Sequence, residues 1–298
     1  MTEAEPVKSR PFVDGLFFGE CPRWHDGRLW YVDFYCSAVC SADEAGNARV
    51  EVEVPGEPAG LGWLPDGRLL VVARKPRTVL RLEPDGTLAL HGDLNPTATF
   101  YGNDMVVDAA GRAYVGNFGF DLHGVIEERG EWALMEPPGP PTTAVVRIDP
   151  DGSAQVAADG LSFPNGTVIT PDGKMMIMAE TLAGRLTAFD IGDDGELTGG
   201  RVWASLPWCA PDGICLDAGG RVWVANAISP ECLLVAEGGE IVRRVGTSQT
   251  CFACMLGGSD RRTLYMMTAP TSTESVASIT RAGRIEQARV EVGGTGLP

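Results

Sequence analysis

The feature that most constrains this chain is a hairpin-like segment that occurs six times. Each copy has a short apolar run, a turn rich in Asp, Gly or Pro, and a second apolar run, a pattern that predicts a β-hairpin. Successive turn positions lie 40, 44, 62, 47 and 42 residues apart. Four of these intervals match the period of about 40 to 50 residues that is typical of a propeller blade. The turn positions are Gly27, Gly67, Gly111, Gly173, Gly220 and Arg262.

Further strand-turn-strand patterns follow most of the hairpins, including the stretch after Ala269. Four strands in each of six repeats predict an all-β fold, a six-bladed β-propeller with four antiparallel strands per blade. No segment shows sustained helical spacing of apolar residues with capping signals. The 38 glycines and 21 prolines also favour many turns. We expect one propeller domain over residues 1–298, because no linker divides the chain.

The long interval between Gly111 and Gly173 predicts an insertion at about residues 121–141. Its proline-rich end does not suit the interior of a strand. Long loops in compact domains are uncommon and usually functional. We therefore expect a lid over one face of the propeller, with a plain surface excursion as the alternative.

The charge balance excludes some partners. The chain has 24 Lys and Arg against 40 Asp and Glu, a net charge of −16, which repels nucleic acid and anionic membranes and favours cations. It has no transmembrane-length apolar run and no signal-like N-terminus, so we expect a cytoplasmic protein with reduced, mostly buried cysteines. The single Cys-x-x-Cys, Cys251 to Cys254, is weak evidence for zinc. A small-molecule substrate fits this balance, and nothing in the sequence predicts the oligomeric state.

One position at the start of the first strand carries polar residues in most repeats. Because inner strands of a propeller converge on its channel, we expect these residues to form one ring. Carboxylate and amide oxygens without imidazole suit a hard divalent cation, calcium first, although zinc, manganese and magnesium are also compatible. Asp212 and Asn165 could instead belong to ordinary turns, but the repeat alignment places both outside the hairpin turns. The aligned residues are Glu20, Ala59, Asn103, Asn165, Asp212 and Cys254.

Several motifs in order give the chain a family resemblance from about residue 15 to 285. It resembles the senescence-marker-protein, gluconolactonase and luciferin-regenerating-enzyme family of six-bladed propellers. The motifs are GECPRW from Gly19, Asn103-Asp104, DAAGRAYVG from Asp108, PNG from Pro164 with PDG from Pro171, and PDG from Pro211.

The resemblance implies one divalent cation in the central channel and, in many members, lactone hydrolysis. Glu20, Asn165 and Asp212 match the metal ligands of the family. Asn103 matches a residue that faces substrate and in some relatives reaches the metal. Asp212 also matches the proposed general base, and Asp121 falls where some sugar lactonases carry a substrate-binding acid.

The chain departs from the family at position 101. Several sugar lactonases have an arginine there, whereas this chain has Tyr101. An arginine would hold polyol oxygens with its fork of donors, so a tyrosine indicates a less polar or aromatic substrate, or a different pose. The insertion adds apolar residues that could form a wall, and Asp121, His123 or Tyr101 could orient substrate. These apolar residues are Leu122, Ile126, Trp132, Leu134 and Met135.

The hypothesis is a metal-dependent hydrolase that opens a cyclic ester, with Asp212 accepting a proton from the attacking water. Ester, carbonate or phosphotriester hydrolysis and lyase or condensation chemistry stay open on the same site. A serine triad is disfavoured because no G-x-S-x-G motif occurs. A nucleophilic thiol at Cys21 or Cys254 would need a base that the sequence does not show. A non-catalytic interaction platform is the alternative from another class, and a cation sensor or buffer is disfavoured because no EF-hand loop occurs.

Overall fold

The computed structural model of the chain describes residues 7–298. Two N-terminal strands, β1 and β2, come before the first blade. The remaining strands follow in chain order, and each blade takes three or four of them. The third blade and the sixth blade each contain one helix as well. The strands before and in the first two blades are β1 (Val7–Lys8), β2 (Arg10–Leu16), β3 (Gly19–His25), β4 (Arg28–Asp33), β5 (Ala38–Ala42), β6 (Ala48–Glu53), β7 (Pro58–Trp63), β8 (Leu69–Ala73), β9 (Thr78–Leu82) and β10 (Leu88–Asp93). The third and fourth blades contain β11 (Gly102–Val107), β12 (Ala113–Asn117), α1 (Leu122–Arg129), β13 (Thr143–Ile148), β14 (Ala154–Leu161), β15 (Pro164–Ile169), β16 (Met175–Glu180), β17 (Arg185–Ile191) and β18 (Leu197–Ser205). The fifth and sixth contain β19 (Pro211–Leu216), β20 (Val222–Asn226), β21 (Glu231–Val235), β22 (Ile241–Gly246), β23 (Thr250–Gly257), β24 (Thr263–Ala269), α2 (Glu274–Ala277) and β25 (Gly283–Arg289).

Six antiparallel sheets form the blades of a closed ring. Each blade starts with its innermost strand, and these are β3, β7, β11, β15, β19 and β23. Each inner strand contacts the next one around the ring, and β23 returns to β3. The prediction of a six-bladed β-propeller with four antiparallel strands per blade is therefore confirmed.

The sixth blade is assembled differently from what the repeat pattern predicted. The residues after Ala269 form only one strand, β25, because part of that stretch is the short helix α2. The fourth strand is β2, which pairs antiparallel with β25 from the other end of the chain. This pairing closes the ring non-covalently, because one blade then contains strands from both ends of the chain. In the fifth blade, β1 adds a short parallel strand beside β22.

Burial follows the distance of each strand from the axis. Five of the inner strands are buried along nearly their whole length, whereas outer strands such as β6 and β14 are largely exposed. Apolar side chains from both faces of the inner strands fill the spaces between neighbouring blades. The continuous apolar runs in the sequence thus come from strands that are covered on both faces.

The insertion after β12 contains α1 and a 3-10 segment, Glu131–Met135. The Asp121 side chain caps α1 by accepting a hydrogen bond from the Gly124 amide at 2.9 Å. No side chain of α1 is fully buried, so the helix lies on the surface of the propeller. Across residues 7–298, no helix has both the length and the apolar character needed to span a membrane.

Candidate functional site

The strand pairing places the start of each inner strand beside the end of the second strand of its blade. Gly102 pairs with Asn117, Pro164 with Glu180, and Pro211 with Asn226. Because the second strand runs antiparallel, the loop that follows it emerges on the same face of the propeller as the start of the inner strand. The insertion with α1 therefore lies on the face where the candidate ring residues begin their strands.

A register shift at the start of the inner strands positions the candidate residues. Residues 103–104, 165–166 and 212–213 are each unpaired within a bulge of the ladder. In the first blade the shift follows Glu20, which still pairs with Val32. A bulge re-aims a side chain by bending the strand. Four side chains at these bulges, hereafter the oxygen-donor set, are only 6–8% exposed: Glu20, Asn103, Asn165 and Asp212.

The aligned position in the sixth blade is wrong by two residues. Cys254 pairs with Met266 in regular register, and its sulfur lies 3.5 Å from the Gly213 carbonyl oxygen and 3.4 Å from that of Trp223. The unpaired residue at the shift is Phe252. The mistake arose because the turn in this repeat is longer, so counting eight residues back from Arg262 stops two residues short of the bulge. The sixth blade thus contributes an aromatic ring where others contribute oxygen.

The two carboxyl groups of the oxygen-donor set are held in an unfavourable environment. Burial, opposed by the Cys21 backbone amide and reinforced by the Asp104 charge, raises the pKa of Glu20 to about 8. Burial and then the Glu20 charge raise the pKa of Asp212, with a hydrogen bond from Asn165 opposing the rise. The Arg23 charge lowers the pKa of Glu20 only in part, because its guanidinium is paired with Asp104 at 2.5 Å. Two buried acids that repel each other are the arrangement that a cation would relieve.

The two amides are oriented by hydrogen bonds from their nitrogen atoms. Asn103 Nδ2 donates to the Pro164 carbonyl oxygen at 3.3 Å. Thr181 Oγ1 donates to the Pro211 carbonyl oxygen at 2.8 Å and accepts from Asn165 Nδ2 at 3.2 Å. These contacts leave both Oδ1 atoms available as acceptors. The set therefore offers two carboxylates and two amide oxygens, which is the donor chemistry of a hard cation.

This set is not a cluster of acidic and imidazole ligands. Between residues 7 and 298, no three His, Cys, Asp or Glu side chains are grouped so as to hold a metal ion. A cation at this site would depend on the amide oxygens as well as the carboxylates, with substrate or water completing its shell. The residues fit that requirement, because Arg23, the basic group whose charge acts on Glu20, is already paired with Asp104.

Aromatic rings cluster near the starts of several inner strands. Phe18 and Phe252 meet edge to face at 4.9 Å between centroids, and Phe118 lies 4.8 Å from Phe163. Each ring flanks a strand end at the face described above. The rings form what we call the aromatic vestibule: Phe18, Phe34, Tyr101, Phe118, Phe163 and Phe252.

The predicted substrate-binding residues occupy different places. Tyr101 belongs to the vestibule, 6.3 Å from the Phe118 ring. His123 is half-buried beside Phe118 at 6.2 Å, where burial and then the Arg74 charge lower its pKa. Asp121 is exposed and caps α1, so one of its oxygens already has a partner. Of the apolar residues predicted to form a wall, Trp132 is 84% exposed and faces solvent.

Sequence reasoning missed the residues that the loops supply. Phe34 and Arg74 directly follow the second strands of their blades, and Phe163 comes just before β15. They share no residue type, so a comparison of the repeats does not single them out. Their position in the chain could have identified them. Residues directly after a second strand or directly before an inner strand all lie at this face of the propeller.

Comparisons with known proteins agree with the fold. The family model described as "SMP-30/Gluconolactonase/LRE-like region" matches residues 18–270. The chain is 25% identical over 291 residues, 94% of each chain, to a 6-deoxy-6-sulfogluconolactonase of Pseudomonas putida. It is 26% identical to a pentonolactonase of Haloferax volcanii, with 84% of this chain and 81% of that one covered. The crystal structure of a calcium-binding protein, regucalcin from Agrobacterium tumefaciens, superposes with a TM-score of 0.77 at 18% identity, covering 98% and 97% of the two chains. Since the matched region is most of the chain, this protein belongs to the SMP-30/gluconolactonase/LRE-like family.

Proposed function

We propose that this protein is a divalent-metal-dependent lactonase whose substrate has a less polar body than a simple sugar lactone. The observation that supports the proposal is the burial of the oxygen-donor set at the starts of inner strands, where Asp212 interacts with both Glu20 and Asn165. The aromatic vestibule lies at the same strand ends. Lactonases among the curated relatives support a hydrolase that acts on ester bonds.

Glu20, Asn165 and Asp212 would hold the cation, with Asn103 at its edge toward substrate. A bound divalent cation supplies Lewis-acid polarisation of the ester carbonyl. Calcium is our first choice because all four donors are oxygens, and the regucalcin of the same fold is described as calcium-binding. Zinc, manganese and magnesium are the alternatives to test.

The chain's own residues would then transfer the proton of the attacking water and hold the substrate in position. Asp212 takes a proton from the attacking water and returns it to the alkoxide that leaves when the ring opens. Asn103 has one amide hydrogen beyond its bond to the Pro164 carbonyl, and it donates this hydrogen to substrate. Tyr101 and His123 contact the body of the substrate from the vestibule side. We keep Asp121 as a weaker substrate contact because it already caps α1.

Tyr101 and the phenylalanines of the vestibule support the less polar substrate. Ring faces give large contact area but few hydrogen bonds to hydroxyl groups. The insertion that contains α1 would act as the lid of this domain, which we place in the cytoplasm, where reducing conditions suit its eight free thiols.

Proton release on a panel of lactones tests the proposal. The panel runs from polyol sugar lactones to alkyl and aromatic ones, with and without a chelator. We expect chelator-sensitive turnover, fastest on the apolar or aromatic members, and a loss of about 100-fold or more in kcat for Asp212→Asn.

Asp172→Asn is the matched control, because Asp172 stands in the same Pro-Asp-Gly tripeptide but in an exposed turn. It should retain wild-type turnover. Calcium should also raise the melting temperature of wild type and of Asp172→Asn, but not of Asp212→Asn, since a ligand that binds only the folded state stabilises it. Absence of turnover on every lactone with calcium, zinc, manganese and magnesium restored would refute lactonase activity. Attention would then pass to other esters, to lyase chemistry and to a binding role.

A further inference from the structure

Arg74 is a buried arginine whose hydrogen-bonding capacity is half unused. It directly follows β8, and its side chain has no solvent exposure. Its Nη1 donates to Glu57 Oε2 at 2.9 Å, but Nε and Nη2 have no partner among residues 7–298. Buried donors are normally satisfied, so each exception requires an explanation. The unused donors of Arg74 therefore indicate a partner that is not part of this chain.

A second buried arginine of the same molecule, Arg23, has a hydrogen-bond acceptor for every nitrogen of its guanidinium. Arg23 Nε donates to the Leu61 carbonyl oxygen, Nη1 to that of Pro22, and Nη2 to both Asp104 and the Met105 carbonyl. Through these contacts, Nε and Nη2 join β3 to β7 and β11. The chain can thus satisfy a buried arginine completely, and it does not do so at Arg74.

The two unused nitrogens of Arg74 form one edge of the guanidinium. Nε–H and one Nη2–H point the same way and are spaced to meet two oxygens of a single planar or tetrahedral anion. Such forked, charge-assisted pairs are the usual way in which arginine recognises a carboxylate. The opposite edge is occupied by Glu57, which leaves this fork as the free one.

The faces of the guanidinium are covered by vestibule rings. The Arg74 Cζ atom lies 4.7 Å from the Phe34 ring centroid, 5.1 Å from that of Tyr101 and 5.2 Å from that of Phe118. Rings on its faces hold the plane of the guanidinium in position and keep water away from it. A ligand that reaches the fork must therefore lie along aromatic surfaces, which suits an apolar or planar body.

The neighbouring charges do not fill the fork. Lys75 Nζ bonds Glu57 Oε1 at 2.5 Å and Glu274 Oε1 at 2.9 Å, so both acids are already engaged. The Tyr35 hydroxyl lies beside the guanidinium, and the Arg74 charge together with a weak hydrogen bond from Arg74 opposes a burial-driven rise of the Tyr35 pKa to about 12. A neutral phenol leaves the positive charge of the fork without a counter-charge. His123 approaches from the first turn of α1, and its Nδ1 is also buried without a partner. Among residues 7–298, no carboxylate pairs with the fork.

We propose that Arg74 is a specificity residue that binds an oxyanion, a carboxylate or a sulfonate, on an otherwise apolar or aromatic lactone. This inference rests on the proposed lactonase function and names the class of its substrate. Tyr101 links the two sites, because its ring lies on the guanidinium while Asn103, two residues later, belongs to the oxygen-donor set. Because the Arg74 side chain has no solvent exposure, the proposal requires a neighbouring segment to move before an anion reaches the fork. We assign this movement to α1, which places His123 near Arg74 and has no fully buried side chain.

Matched lactones test the specificity. Dihydrocoumarin is compared with derivatives that carry a carboxylate, its methyl ester or a sulfonate at the same ring position. We expect wild type to prefer a charged derivative over the methyl ester by about 10- to 100-fold in kcat/KM. Arg74→Lys keeps the positive charge but loses the fork, and it should remove most of this preference through KM while changing the neutral lactone less than about threefold.

Arg261→Lys is the matched control, because Arg261 also has a buried Nε without a partner but lies in the turn between β23 and β24, at the opposite end of the strands. It should leave the preference unchanged. An Arg74→Lys enzyme that loses the same factor on charged and neutral lactones would show a purely structural role and overturn the proposal. A preference for carboxylate over sulfonate, or the reverse, identifies the anion.

A binding measurement separates this proposal from the lactonase proposal. Titration calorimetry with benzoate, benzenesulfonate and methyl benzoate reports on the fork even if no lactone is hydrolysed. We expect an anion to bind wild type and Arg261→Lys at least tenfold more tightly than it binds Arg74→Lys, and methyl benzoate to show no such difference. Equal binding of the anions to all three proteins would refute the Arg74 site, whatever the outcome of the lactone assays.

Discussion

At Gly166 two inner strands come so close that no side chain fits between them. A Cβ atom at this position would lie 2.5 Å from the Asp212 carbonyl oxygen and 2.5 Å from the Ile214 amide nitrogen. Gly60 and Gly213 stand at similar approaches, to Met105 and to Ala253. The glycine after Asn165 thus lets β15 and β19 bring Asn165 and Asp212 to one place.

Gly166→Ala is expected to destabilise the protein by about 2 to 3 kcal/mol, because both clashing atoms belong to backbone that cannot rotate away. Gly246→Ala is the control, since a Cβ there meets nothing within 4 Å in another strand. It should change the free energy of unfolding by less than about 0.5 kcal/mol. Urea denaturation of the two variants checks this, and equal stabilities would mean that the inner strands separate easily.

At the scale of elements, the N-terminal strand β2 completes the sixth blade. It pairs with β25 from Arg10 to Leu16 and buries Val13 and Leu16 against that blade. The repeat pattern did not predict this role, since β2 lies outside the six repeats. Its contribution depends on the closure of the ring, which brings the two ends of the chain to one sheet.

A chain that starts at Phe17 lacks β2, and a chain that starts at Arg10 keeps it. We expect the shorter chain to lose at least about 3 kcal/mol, because two buried aliphatic side chains and a ladder are removed. It should also associate in size-exclusion chromatography, since β25 becomes an exposed edge. The chain that starts at Arg10 should stay close to wild type. Identical melting temperatures for the two would show that β2 does not stabilise the ring.

At the scale of the whole molecule, all three histidines favour the neutral form. Burial is the first cause of the lowered pKa at each one. Asp26 opposes the shift at His25, and Asp151 and Glu83 oppose it at His91, where Arg81 and Arg68 strengthen it. Glu274, Asp121 and Glu127 oppose the shift at His123. The acidic surface, with a net charge of −16, does not outweigh the cost of burying a charged imidazole.

Stability is therefore expected to fall as the pH drops through about 6.5, the pKa of histidine in the unfolded chain. Below that pH each histidine is protonated in the unfolded state but stays neutral in the folded state. The free energy of unfolding then falls by up to about 1.4 kcal/mol per pH unit for each histidine. The triple variant His25→Gln, His91→Gln, His123→Gln should flatten the difference in free energy of unfolding between pH 7.5 and 5.5. Because both proteins keep the carboxylates of the channel, the effect of those groups cancels. An equal decline in both would show that the histidines do not cause it.

The six repeats in the sequence predicted the propeller, because alternating runs and turns at a blade-length period have few other ways to bury their apolar residues. They also predicted Glu20, Asn103, Asn165 and Asp212 as neighbours, since equivalent positions in a closed ring must converge. Both inferences use only local pattern and symmetry. They failed at Cys254, where the turn length differs from the other repeats and the register shift falls at Phe252 instead.

The tertiary structure alone decided the features that lie outside the six sequence repeats. The pairing of β2 with β25 depends on contacts between segments that share no repeat. The exposed Trp132 and the helix cap at Asp121 lie in the insertion, to which no repeat corresponds. Arg74 is the clearest case, because in the sequence it is one more arginine after an apolar strand. The three rings that contact it come from the first and third blades, on either side of its own blade, and it is buried with an unused fork. Periodicity places residues on strands, but the surroundings of a loop side chain are set by whichever loops the closed ring brings to the same face.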